Sequence, residues 1–222
     1  MIDIEKFKSY PINTQQCTEM NYKFPIIETI DDVLPHIKGR EEFRVLDKEW
    51  YSVVNYMVAF ENTFAWDEND TIGSAIRREC RGLIFDVNGK LISRPYQKFF
   101  NVGEKKETQL DKINLYEPHV VLEKLDGSMI RPIPTADGFR LATKAGVTDV
   151  SMNAEVFIAD KSEYSEFIQL MIYNVRATPI FEWISRKNRI VVDYPEDNLI
   201  LTAVRDTAVS YTHLRAHETL RY

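Results

Sequence analysis

Residues 81–96, Arg-Gly-Leu-Ile-Phe-Asp-Val-Asn-Gly-Lys-Leu-Ile-Ser-Arg-Pro-Tyr, constrain the fold most tightly. Two apolar arms flank Asn88-Gly89, the pair that suits a type I′ hairpin because both residues tolerate positive φ. Further short apolar runs read as strands at 43–46, 50–58, 138–146, 179–185, 189–194 and 199–204. Helical patterning is sparse. Residues 25–38 hold one short helix, with Thr29 as N-cap, Ile30, Val33, Leu34 and Ile37 on one face, and Pro35 shortening it. Residues 151–174 read as a second helix capped by Ser151, with Val156, Ala159, Phe167, Leu170 and Met171 along an apolar face. Residues 62–74 are polar and read as a loop. Strands and helices do not alternate regularly, which argues against a doubly wound parallel sheet. The pattern predicts an α+β domain of antiparallel sheets with flanking helices.

The chain's formal charge of −6 gives no global positive field for nucleic acid, so any such contact needs a local basic cleft. Arg77, Arg78 and Arg81 form one candidate cluster. Two cysteines, Cys17 and Cys80, do not make a disulfide framework. With a polar N-terminus and no long apolar run, the sequence predicts a cytoplasmic protein.

The chemistry concentrates at His119-Val-Val-Leu-Glu-Lys-Leu-Asp-Gly-Ser128. Val120, Val121 and Leu122 read as a buried strand leading to Lys124, and Asp126-Gly127 as a tight turn. One amine then stands at a strand mouth beside a carboxylate and a bare backbone turn, an arrangement suited to attack on a phosphate. Arg81, before an apolar strand and next to Gly82, offers a rigid fork of donors to an anion. Lys98 leads Phe99-Phe100-Asn101, and Lys144 precedes Ala145-Gly146. On the strand Ile180-Phe-Glu-Trp-Ile184, period-2 alternation puts Phe181 and Trp183 on one face and Glu182 between Ile180 and Ile184 on the other. A carboxylate so flanked is costly unless it is paired or binds a hydroxyl or metal.

The blocks Arg-Glu-Cys-Arg-Gly-Leu-Ile-Phe-Asp (78–86), Ser-Arg-Pro-Tyr-Gln-Lys-Phe-Phe-Asn (93–101), Glu-Lys-Leu-Asp-Gly-Ser (123–128), Phe-Glu-Trp-Ile-Ser (181–185) and Asn-Arg-Ile-Val-Val-Asp-Tyr (188–194) occur in that order. Together they resemble the ATP-dependent RNA ligases of the phage RNA ligase 1 type, within the covalent nucleotidyltransferase superfamily of DNA ligases and capping enzymes. The resemblance runs over about 24–206 and implies the ligase/capping-enzyme adenylation fold. It implies Lys124 as the nucleophile that takes AMP from ATP. Arg81, Lys98, Glu123, Asp126, Gly127, Lys144 and Glu182 would line the nucleotide site, with Asp126 and Glu182 near Mg²⁺. The partners implied are an RNA 5′-phosphate and a 3′-hydroxyl. Another lysyl-nucleotidyltransferase, or a non-catalytic nucleotide- or RNA-binding module, are the alternative readings.

The family pattern continues past Glu182 with a Glu-Gly-Val-like strand and a Lys-x-Lys strand. Neither occurs: Gly146 is the last glycine and Lys187 the last lysine. Residues 208–222 instead resemble translated sequencing-adaptor read-through. The sequence therefore predicts a C-terminally incomplete ligase domain over 1–206, a non-native tail over 207–222, and impaired activity.

Overall fold

The computed structural model describes residues 24–116, 121–207 and the backbone of 212–213. Four strands, β1 (Phe43–Asp47), β2 (Tyr51–Tyr56), β3 (Arg81–Asp86) and β4 (Leu91–Ser93), form a first sheet in the order β1-β2-β3-β4. The second sheet holds β5 (Ser128–Thr135), β6 (Gly138–Ala142), β7 (Ala177–Ile184), β8 (Asn198–Asp206) and β9 (Thr212–His213), in the order β6-β5-β7-β8-β9. All of these pairings are antiparallel, so the α+β expectation is met.

Period-2 alternation sorts the apolar side chains into layers. Leu83 and Phe85 face a core shared with Ile27, Phe43, Phe64 and Ile76. Ile84, between them, points the other way and meets Tyr51, Val53, Ile133 and Ala142 between the two sheets. Beyond the second sheet, Phe181, Trp183, Ile130 and Leu141 pack on Ala154, Ile158 and Phe167 from helices α3 (Asp149–Ile158) and α4 (Ser162–Gln169), which follow α1 (Leu34–Ile37) and α2 (Thr71–Glu79) in the chain. Glu182 thus sits on the β7 face turned away from Phe181 and Trp183.

A buried ionic triad ties the sheets together. Glu79, at the end of α2, receives Arg205 Nη2 from β8 at 2.6 Å and Arg94 Nη2 at 3.1 Å, all three side chains being fully buried. Burial alone would push the Glu79 carboxyl up; the guanidiniums of Arg205 and Arg94 outweigh it and hold the pKa below the usual value.

Several expected elements differ. Asn88-Gly89 is not a type I′ turn, since Gly89 has φ +79° while Asn88 does not have positive φ. Gly89 N–H donates to Asp86 O at 2.9 Å, and Asp86 Oδ1 accepts from Asn88 N–H and Lys90 N–H. That is a type I turn followed by a left-handed glycine, pinned by the aspartate. Residues 62–74 are not all loop: Asp70 accepts from Gly73 N–H at 3.0 Å and starts α2 at Thr71, a helix that Gly73 and β-branched residues disguise. The 151–174 segment breaks into α3, α4 and a π-helical turn over Leu170–Val175. Its cap is Thr148, which accepts from Ser151 N–H, and Val156 is 75% exposed because Ala154 and Ile158 carry the buried face. The N-terminal helix is split into a 3₁₀ turn, Ile30–Asp32, and the single turn α1, with Pro35 in that turn.

Two expected strands are absent. Residues 121–127 have no regular structure and Val121 is 86% exposed; His119 and Val120 lie outside the described residues. Residues 189–194 are a loop with Val191 71% exposed, because the N–H groups of Val191 and Val192 go to a side chain instead of a neighbouring strand.

Candidate active site

Arg81 opens β3 at a β-bulge. The β2–β3 register steps from Val54↔Leu83 to Asn55↔Arg81, leaving Gly82 as the extra residue. Gly82 has φ +104°, and a Cβ there would lie 2.6 Å from the carbonyl oxygen of Lys144, so only glycine serves. The bulge turns Arg81 inward. Its guanidinium carbon stacks 4.9 Å from the Phe99 ring centroid, and its Nη1 is buried without a hydrogen-bond partner. An orphaned guanidinium N–H costs free energy that an anionic ligand would recover.

Within its electrostatic reach is Glu182 on β7, opposite Met129 of β5 and Ile200 of β8. Burial raises its carboxyl pKa from 4.5 to about 7, against the lowering pull of the Gly127 N–H, Lys124 and Arg81. Tyr96 lies in the same field. Burial raises its phenol pKa, Glu182 pushes it the same way, and the Thr202 hydroxyl and Arg81 pull it down. The Tyr96 and Phe99 rings meet edge to face at 6.2 Å.

The segment bearing Lys124 runs past this group without belonging to a sheet. Lys124 is exposed, yet its charge acts on both Glu182 and Asp126. Gly127 N–H donates to Glu182 Oε1 at 3.2 Å. Gly127 is not at positive φ, so it is not the left-handed turn residue expected; a Cβ there would sit 2.3 Å from the Trp183 carbonyl oxygen. Its bareness is needed for approach to β7. Asp126 Oδ2 accepts from Val191 N–H and Val192 N–H, each at 2.6 Å, and these bonds lower its carboxyl pKa.

Not every expected residue converges. Glu123 is exposed. Lys98 turns to its own loop, donating to Phe99 O at 2.9 Å and lying 4.8 Å from the Phe100 ring centroid. Lys144 is exposed, with its ammonium 4.9 Å from the Tyr56 ring centroid, although its backbone abuts Gly82. The Arg77–Arg78–Arg81 cluster is not an open basic cleft. Arg77 and Arg78 are buried, Arg77 pairing with Asp70 at 2.9 Å and Arg78 with Glu107. Among the described residues, no three His, Cys, Asp or Glu side chains converge as a metal set.

Tyr96, Arg131 and the Val191–Val192 backbone carry no signal in the sequence that points to the site. Arg131 of β5, fully buried, donates to the carbonyls of Thr143 (2.8 Å) and Gly82. It clamps the turn carrying Lys144 against the bulge carrying Arg81, while burial lowers its pKa to about 9.

A guanidinium with an open donor, a half-buried carboxylate and a lysine within its field can bind an anion beside an amine. A model of the RNA ligase family matches residues 79–221, a span that includes all of these groups. The chain belongs to the RNA ligase family. A Thermovibrio ammonificans protein carrying the name "Putative RNA ligase" is 30% identical over 191 residues, covering 86% of this chain and 48% of that protein. RNA ligase 1 of bacteriophage TS2126 is 26% identical over 157 residues, covering 65% and 40%. The RNA ligase of Rhodothermus phage RM378 is 27% identical over 163 residues, covering 57% and 36%. This RNA ligase family member therefore spans about half or less of the length of the curated relatives it matches. None of its described helices is long and apolar enough to cross a membrane.

Proposed function

We propose that this chain carries most of the adenylyltransferase domain of a cytoplasmic ATP-dependent RNA ligase, built on the covalent nucleotidyltransferase fold over 24–206. The carrying observation is the buried, partnerless Nη1 of Arg81, on a side chain whose charge acts with that of Lys124 on Glu182.

In this reading the amine of Lys124, in its neutral form, attacks the α-phosphorus of ATP, and its nitrogen gives up a proton to solvent. The N–P bond forms as the bond to the bridging oxygen breaks, and pyrophosphate leaves with that electron pair. An RNA 5′-phosphate oxygen then takes the adenylyl group as the N–P bond breaks, and the Lys124 nitrogen leaves with the electron pair and regains a proton. A 3′-hydroxyl finally attacks the activated 5′-phosphorus, loses its proton and releases AMP. Arg81 holds phosphate oxygens through its open N–H and steadies the charge that grows on them. Lys98 and Lys144 supply further positive charge once their side chains turn from the aromatic rings. Glu182 faces the ribose or the metal shell, and Gly127 leaves room for backbone approach. Mg²⁺, when bound, would neutralise phosphate charge. Such an ion would take its ligands largely from substrate phosphates, and Glu182 is the side chain that would reach it.

A substrate panel tests the reaction class. The chain is offered ATP or GTP, with 5′-phosphorylated RNA or nicked DNA. Adenylylated or sealed RNA formed with ATP is the expected product. Preference for GTP or for nicked DNA would move the chain to another branch of the superfamily.

A further inference from the structure

We infer that Asp126 is a positioning residue, the catch of a clasp by which the loop 188–194 holds the Lys124 segment in place. The inference rests on the reading of Lys124 as the nucleophile.

Residues 121–127 pair with no strand, so no sheet fixes Lys124 before β5 begins at Ser128. Besides the Gly127 N–H bond to Glu182 on β7, the loop after β7 holds this segment. Val191 N–H and Val192 N–H both donate to Asp126 Oδ2 at 2.6 Å. In the reverse sense, Asp126 N–H donates to the Tyr194 hydroxyl at 2.9 Å. A fourth bond runs from Asn188 Nδ2 to Ser128 Oγ at 3.2 Å. The loop is braced from within, since Arg189 pairs with Asp193 at 3.2 Å and donates to Val191 O at 3.3 Å. Ile190 and Val191 stay exposed, so apolar burial does not explain why the loop lies here. Charge-assisted bonds from two adjacent N–H groups to one carboxylate oxygen do explain it. This gives Asp126 a task different from the metal shell to which the resemblance assigns it. Its carboxylate acts through the backbone two residues from Lys124, setting where the amine stands relative to Glu182 and Arg81.

The test compares Asp126→Ala, Asp126→Asn and Tyr194→Phe with the parent chain. Hydrogen exchange is followed in 121–127 and 188–194, and Lys124 adenylylation is followed as a function of ATP and Mg²⁺. Asp126→Ala should speed exchange in both segments together. It should also slow adenylylation by roughly 10²-fold at saturating ATP, the scale of a 1 Å misplacement. Asp126→Asn keeps an oxygen that accepts the same donors, so it should recover most of both losses with the parent's Mg²⁺ requirement. Tyr194→Phe should loosen the same segments to a smaller degree. The clasp is overturned if exchange stays unchanged in Asp126→Ala. It is equally overturned if the Asn and Ala variants fail alike and both need more Mg²⁺, as a metal ligand would. Should the parent chain form no adduct, the Lys124 reading fails, while the exchange data still decide whether the clasp exists.

Discussion

The backbone N–H of Gly127 donates to Glu182 Oε1 at 3.2 Å, three residues past Lys124 in the chain. This bond joins the irregular Lys124 segment to β7, and it forms only because Gly127 lets the backbone lie against the Trp183 carbonyl. Gly127→Ala would put a Cβ 2.3 Å from that oxygen, which backbone cannot yield cheaply. Overpacking of this kind costs about 1–3 kcal/mol. A loss of that size in urea denaturation is expected, together with loss of labelling by ATP. An unchanged midpoint would show that β5 and β7 are not packed as described.

Glu182 makes stability depend on pH. Its folded pKa of about 7 lies above the reference 4.5, so the folded chain holds the proton more tightly than the unfolded one. The corresponding stabilisation is complete below about pH 4.5 and is lost as pH rises through 7, amounting to roughly 3 kcal/mol by pH 8. Glu182→Gln removes this dependence. Urea denaturation at pH 5, 6, 7 and 8 should show the parent losing stability relative to the variant with rising pH. Parallel profiles would mean that the carboxylate is not buried as found.

The energetics of Arg81 fit the ligand-binding role proposed for it. Its stacking on Phe99 contributes about 0.5–1 kcal/mol, whereas a buried unpaired N–H costs roughly 1–3 kcal/mol. Arg81→Ala is therefore expected to leave the melting temperature unchanged or raise it. Adenylylation should fall by roughly 10²-fold or more. A variant that melts early while keeping full labelling would assign Arg81 a purely structural part.

The hairpin around Asn88-Gly89 was legible because alternating apolar residues and a turn pair are local signals. The inward face of Glu182 was legible for the same reason, given the apolar residues on either side of it. Other features depend on partners far along the chain. Arg-Ile-Val-Val reads as a strand by β-branching alone, yet the N–H groups of Val191 and Val192 bond to Asp126, 65 and 66 residues away. The fully buried Glu79, Arg94 and Arg205 look like surface charges until the fold gathers them. The bulge that aims Arg81 needed the register of β2 against β3 and the approach of Lys144.

The most direct measurement is intact-mass and peptide mass spectrometry after long incubation with ATP and Mg²⁺, on the parent and on Lys124→Arg. The expected result is an added adenylyl group localised to Lys124, lost in acid, and missing from the variant. No adduct on the parent chain, or an adduct on any other side chain, would contradict it.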